Sequence, residues 1–322
     1  MRGRERARFG RRIGLIAVAA LAGMLAFGVT PAAVAKKKKK KPQPAVTAVA
    51  STPLSPGSQT SATANCPSRT HITGGGWSLS DPYSANGSNA LANGTGTRIT
   101  HLQSQPSGLV GWSSGAAALA LPPTAGTFTS IARCESKSLG RTLFGVSGTT
   151  TVPVGQESTA VLHCPPSTHV LNGGFSFAPP GSPAPDMFRA LVVESRRATI
   201  DTWEVDLVNP AGAADQVTLS LNVLCELNQK GVNVTEASAV APITDNGRTS
   251  ATATCTGKTH TIGGGFLASP TVGPAIGVDQ MQPVGAKSWQ VGLYEYPGFA
   301  LPAGSSLATY AYCKKNAVPQ KK

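Results

Sequence analysis

The 322-residue sequence is poor in charge and in rings: Asp, Glu, Lys and Arg make up 13% of it and aromatics 6%. Beyond Ala35 no segment sustains a helical period of apolar residues, which excludes a helical bundle and argues against an α/β fold. Positive charge is missing where a nucleic-acid-binding face would need it. The formal net charge is +13, yet residues 42–313 hold 12 Lys plus Arg against 14 Asp plus Glu, a net of −2. The excess sits in the N-terminal segment, in the run Lys36, Lys37, Lys38, Lys39, Lys40 and Lys41, and in the tail lysines 314, 315, 321 and 322. With no basic stripe carrying interleaved aromatics, sequence-specific nucleic-acid binding is not expected.

The ends set the compartment. MRGRERARFGRR carries six Arg against one Glu, an apolar run of 17 follows from Ile13 to Val29, and PAAVA closes with small residues. This is the layout of a secretory signal peptide over residues 1–35, cleaved after Ala35. An uncleaved segment that anchors the chain in a membrane is the rival reading. Residues 36–44 form a solvated Lys/Pro-rich arm. Six clustered lysines suit anionic wall polymers or lipid headgroups, each contributing about 1 kcal/mol near such a surface and less as salt rises.

What is abundant is repetition. CPSRTHITGGGW (66–77) returns as CPPSTHVLNGGF (164–175) and CTGKTHTIGGGF (255–266). Each copy has a later tryptophan (Trp112, Trp203, Trp289) and a second cysteine (Cys134, Cys225, Cys313), with Trp-to-Cys steps of 22, 22 and 24 residues. From Cys134 to Cys164 and from Cys225 to Cys255 the step is 30 both times. A nearly fixed period marks tandem units, here 45–136, 143–227 and 233–315. Residues alternate in SATANC, STAVLHC and SATATC, and along the Trp segments Trp203, Val205 and Leu207 oppose Glu204 and Asp206. NPAGAAD, LPPTAG and YPGFALPAG punctuate them as turns. The expected fold is all-β, with three small sandwich-like units of about six strands each.

Six cysteines allow 15 pairings. Two per unit, each ending a strand, select Cys66–Cys134, Cys164–Cys225 and Cys255–Cys313. Bridges of that span stabilise a unit by about 4 kcal/mol in the chain-entropy picture and belong outside the cytosol. The double glycine is a stretch of strand without side chains, on whose backbone another group lies flat, and the repeat tryptophan is the candidate. The set C-x(3)-T-H-x(3)-G-G-aromatic, W-x-V-x(3)-N and a closing Cys resembles tandem units of uncharacterised secreted bacterial proteins. The third element fits Trp203 through Asn209, while Trp112 and Trp289 depart from it. That resemblance implies no activity and no cofactor.

Several motifs invite a sharper function. GWSSG (111–115) matches the nucleophile elbow of serine hydrolases, but it lies on the Trp strand rather than a strand-to-helix turn, and the positions matching Ser113 are Glu204 and Gln290. His71, His169 and His260 recur five residues after the first cysteine. A metal site needs several converging ligands, so a hydrogen-bonded structural histidine is the expected role and no metal is expected. His101 and His163 do not recur. In LYEYPGF, Tyr294 and Tyr296 are expected side by side on the outer face with Phe299 at the turn, a surface that could stack on a glycan or a partner protein. Asn86, Asn93 and Asn233 carry acceptor sequences and are expected bare in a bacterial chain. The reading that results is a secreted, surface-associated, non-enzymatic structural or adhesive protein.

Overall fold

The structure is a computed structural model that describes residues 46–55, 58–80, 99–118, 126–136, 142–178, 190–210, 215–227, 234–244, 247–270, 276–295 and 300–315. The leader, the arm with Lys36–Lys41, Asn86, Asn93, Asn233, Tyr296 and Phe299 lie outside the described residues.

Among the described residues there are strands and no helix. The first set is β1 (Val46–Leu54), β2 (Gln59–Asn65), β3 (Thr70–Leu79), β4 (Ile99–Ser107), β5 (Gly111–Ala118) and β6 (Gly126–Ser136). The second is β7 (Leu143–Val152), β8 (Gln156–His163), β9 (Thr168–Ala178), β10 (Leu191–Thr199), β11 (Thr202–Asn209) and β12 (Val217–Leu227). The third is β13 (Val234–Pro242), β14 (Arg248–Thr254), β15 (Thr259–Ser269), β16 (Ile276–Val284), β17 (Ser288–Glu295) and β18 (Ser306–Lys315). Alternation decides the strands: in β14 Thr249, Ala251 and Ala253 are buried while Ser250, Thr252 and Thr254 are exposed, the half-buried pattern of a sheet wetted on one face.

The three units are not separate sandwiches. Each of the three six-stranded sheets takes three strands from one unit and three from another. Sheet I is β1-β6-β3-β16-β17-β14, sheet II is β2-β5-β4-β9-β12-β7, and sheet III is β13-β18-β15-β10-β11-β8. Unit 1 therefore shares sheet I with unit 3 and sheet II with unit 2, and sheet III joins units 3 and 2. The chain closes on itself as a ring. Each join is short: Trp77 and Ser78 opposite Met281 and Gln280, Phe175 and Ser176 opposite Ser104 and Gln103, Phe266 and Leu267 opposite Ser195 and Glu194.

The disulfides follow the expected pairing, Cys66–Cys134, Cys164–Cys225 and Cys255–Cys313. The second cysteine of each pair lies on β6, β12 or β18, and the first follows β2, β8 or β14. Each bridge thus ties two different sheets together, II to I, III to II and I to III. The core runs through all three units and contains Trp77, Trp112, Trp203 and Trp289, at most 2% exposed.

Candidate functional site

The repeated motif explains itself one residue at a time. The threonine hydroxyls of Thr70, Thr168 and Thr259 donate to the carbonyls of Pro67, Pro165 and Thr256 at 2.6, 2.5 and 2.5 Å, closing the turn after each first cysteine. One residue of each glycine strand then bulges, between Ile72 and Gly74, opposite Leu224/Cys225, and between Thr261 and Gly263. A bulge re-aims the residues beyond it.

Each of the three stations that follow has its own neighbour. The first is Gly74, Asn172 and Gly263, where the three strands meet: a Cβ on Gly74 would lie 2.5 Å from Asn172 Nδ2, and one on Gly263 2.6 Å from it. Room exists for one side chain, and unit 2 supplies it. The second is Gly75, Gly173 and Gly264, where a Cβ would meet the unit's own Trp112, Trp203 or Trp289 at 2.2–2.5 Å. The indole lies flat on the backbone, as the sequence predicts. The third is Gly76, Gly174 and Gly265, where a Cβ would meet the carbonyl oxygen of Met281, Ser104 or Ser195 at 1.8, 1.8 and 2.4 Å. Those carbonyls belong to the neighbouring unit, so the third glycine is what lets two units share a sheet.

The recurring histidines are buried and serve the same closure. His260 Nε2 lies 3.1 Å from Glu135 Oε1, a contact between unit 3 and unit 1. His169 Nε2 lies 3.2 Å from Glu226 Oε2, which also binds Lys314 Nζ of unit 3. His71 sits opposite Glu135 in the β3–β6 register. The position after the second cysteine is thus Glu135, Glu226 and Lys314, two acids and one base, all at most 2% exposed. Lys314 corrects its assignment to the basic tail: it is a wholly buried residue of β18. A buried carboxylate is tolerable only when paired, which this cluster achieves across unit boundaries.

The outward faces differ in chemistry. Across sheet I one row reads Ser51, Thr129, Ser78, Gln280, Gly292, Ser250. The matching row of sheet II reads Thr149, Ser220, Ser176, Gln103, Gly115, Ser61. That of sheet III reads Val240, Ala308, Leu267, Glu194, Asp206, Thr159. Here Glu194, Glu204 and Asp206 gather with one carboxylate oxygen each within 4.8 Å of the others. Arg196 Nε lies 2.6 Å from Glu194 Oε1, and its guanidinium stands 5.6 Å from the Tyr310 ring centroid. Burial pushes the Glu194 carboxyl up to about 7; Arg196 opposes that, and Asp206 and Glu204 add to it. The acids are the one such carboxylate group among the described residues with metal-like spacing, yet Arg196 already offsets part of their charge. Alternation in the sequence puts Glu204 and Asp206 on one face of β11, but Glu194, which completes the group, comes from β10 and has no signal in the sequence.

The remaining sequence candidates fall as follows. Ser113 lies within β5, where its Oγ accepts from Gln103 Nε2 at 2.9 Å and from Thr63 Oγ1 at 3.3 Å. Tyr294 is 8% exposed, which corrects the expectation of an outward ring; it sits opposite Arg248 at the end of β17. His163 Nδ1 pairs with Thr202 Oγ1 at 3.1 Å. Asn209, from the W-x-V-x(3)-N element, donates through Nδ2 to the carbonyls of Val152 and Asp215 at 3.2 and 3.1 Å and so fastens the end of β11. No protein-family model matches the chain, and no curated protein matches it.

Proposed function

We propose that this chain is exported and serves, without catalysis, as a structural or adhesive protein at a bacterial cell surface. One observation carries the reading: three disulfides tie three shared sheets into a covalently cross-linked ring. That device suits an oxidising exterior, where thiols stay paired. The Gly, Trp, Cys and Thr-His letters that recur are all occupied in holding the ring, so repetition in this chain serves architecture. The lysine arm is the tether, drawn to anionic wall polymer or lipid headgroups. The hydroxyl- and amide-rich rows of sheets I and II suit contact with polyhydroxylated polymers, being dense in donors and acceptors, with the paired Arg248 and Asp279 beside the row in sheet I.

The test is co-sedimentation of the mature protein with cell-wall fractions at low and high salt. Binding that falls with salt, and is lost on deleting residues 36–41, is the expected result. Binding retained after the deletion rejects the electrostatic tether. Labelling of the native protein by a serine-directed probe, abolished by Ser113→Ala, would reject the non-enzymatic reading.

A further inference from the structure

The ring has three seams, and the residue before each second cysteine crosses one of them. Arg133, Leu224 and Tyr312 are equivalent: they stand opposite Gly74, Asn172 and Gly263 in register. Arg133 reaches from unit 1 into unit 3, donating from Nε to the Thr261 carbonyl and from Nη2 to the Ala286 carbonyl, both at 3.2 Å, and from Nη1 to Thr47 Oγ1 at 3.0 Å. Tyr312 reaches from unit 3 into unit 2, where its hydroxyl accepts from the Arg197 backbone N–H at 2.6 Å and its ring meets Trp203 edge-on at 5.8 Å.

Leu224, at the seam of units 2 and 1, is too short to do either. A cavity of about 260 Å³ remains there, bounded by Pro106, Gly108 and Leu109 of unit 1 and by Gly145, Asn222 and Leu224 of unit 2. Gly145 stands opposite Leu224 where Thr47 stands opposite Arg133, and a Cβ on Gly145 would meet nothing within 4 Å. Two side chains that fill the unit 1–unit 3 seam are therefore missing from this one. The cavity lies below the roughly 300–1,000 Å³ of pockets that hold drug-sized ligands. It is large enough to hold one long side chain.

The walls say which one. Pro106 and Pro283 are equivalent, opposite Trp112 and Trp289, and the third member of that set is Arg197, opposite Trp203. Tyr312 depends on the Arg197 N–H, and a proline has none to offer. The Leu109 carbonyl accepts from Ile72 N–H as the Ala286 carbonyl accepts from Thr261 N–H, so Leu109 repeats the acceptor that holds the Arg133 guanidinium. We propose that the seam of units 1 and 2 is a receptor site for an arginine side chain presented by another polypeptide, seated as Arg133 is seated in its own ring.

The experiment titrates the disulfide-intact protein with acetyl-Gly-Arg-Gly amide, and with its Lys and Tyr counterparts, by NMR shift perturbation. Saturable binding of the Arg probe is expected, with the Lys probe at least about tenfold weaker because a compact ammonium lacks the planar fork by which Arg133 is seated in its own seam. Leu224→Arg is expected to fill the seam from within, abolish binding and raise Tm. Gly145→Thr, at an open position of an edge strand, narrows the cavity without touching the core and is expected to weaken binding even if Leu224→Arg fails to fold. Absence of saturable binding, equal binding of the Lys or Tyr probe, or affinity unchanged in the folded variants overturns the proposal.

Discussion

Toward the centre the three sheets place like residues at like stations: glycine against a neighbouring carbonyl, glycine under an indole, cysteine across to the next sheet. On their outward faces the matching row itself is uncharged in sheets I and II, with the Arg248–Asp279 ion pair beside it in sheet I, whereas in sheet III the row carries Glu194 and Asp206, with Arg196 and Glu204 alongside. The difference follows from distance. A Cβ placed 1.8 Å from a carbonyl oxygen cannot be accommodated without parting two strands, so the glycine stations admit little variation. The outward positions are not crowded by a neighbouring strand's backbone in this way, so the copies are freer to diverge there. Function that distinguishes one unit from another is therefore to be sought outside the motif that made the repeat visible.

That contrast can be broken from the inside. Replacing Cys255 and Cys313 together by Ser frees sheet I from sheet III and, for a separation of 58 residues, is expected to lower unfolding free energy by about 4 kcal/mol. Lys314→Met leaves Glu226 buried without its ammonium partner, at a cost of about 3 kcal/mol. Gly76→Ala forces β3 from β16 and is expected to cost about 2–3 kcal/mol, while Gly145→Ala, with open space around it, changes stability by less than about 0.5 kcal/mol. Urea denaturation of the four variants measures all of these. If Gly76 and Gly145 respond alike, the inward–outward distinction is wrong.

Much of this was legible from letters. The strands, their number per unit and the cysteine pairing follow from alternation and from the repeat, and the indole on the second glycine follows from a side-chain-free stretch near a recurring Trp. The closure into a ring was not legible. Each join consists of two paired residues, such as Ser195 opposite Phe266, and nothing in the composition of β10 or β15 distinguishes an edge that meets a sibling unit from one that meets water. For the same reason the first and third glycines carried no readable role: their neighbours, Asn172 and a carbonyl of another unit, are 70 or more residues away in sequence in every copy and close only in space. Tyr294 was placed outward by strict alternation, which describes which face a side chain takes but not what covers that face.

The outward side yields an effect that only pH reveals. The Glu194 carboxyl titrates in the folded protein near 7, above its ordinary value of 4.5. The native state therefore holds that proton more tightly than the unfolded chain does. Its contribution to stability is fully present below about pH 4.5 and is lost as pH rises through 7. Glu194→Gln is expected to flatten the fall of Tm between pH 5 and 8 without changing the inward contacts, measured by thermal melts across that range; an unchanged slope assigns the pH dependence to other groups.

The central claim is that three units, joined through shared sheets, fold as one body. Differential scanning calorimetry of the disulfide-intact protein tests it most directly. A single transition whose calorimetric and van't Hoff enthalpies agree, with a ratio of about 1, is the predicted result. Three resolvable transitions, each carrying a share of the enthalpy, would show units that melt independently and would contradict the ring.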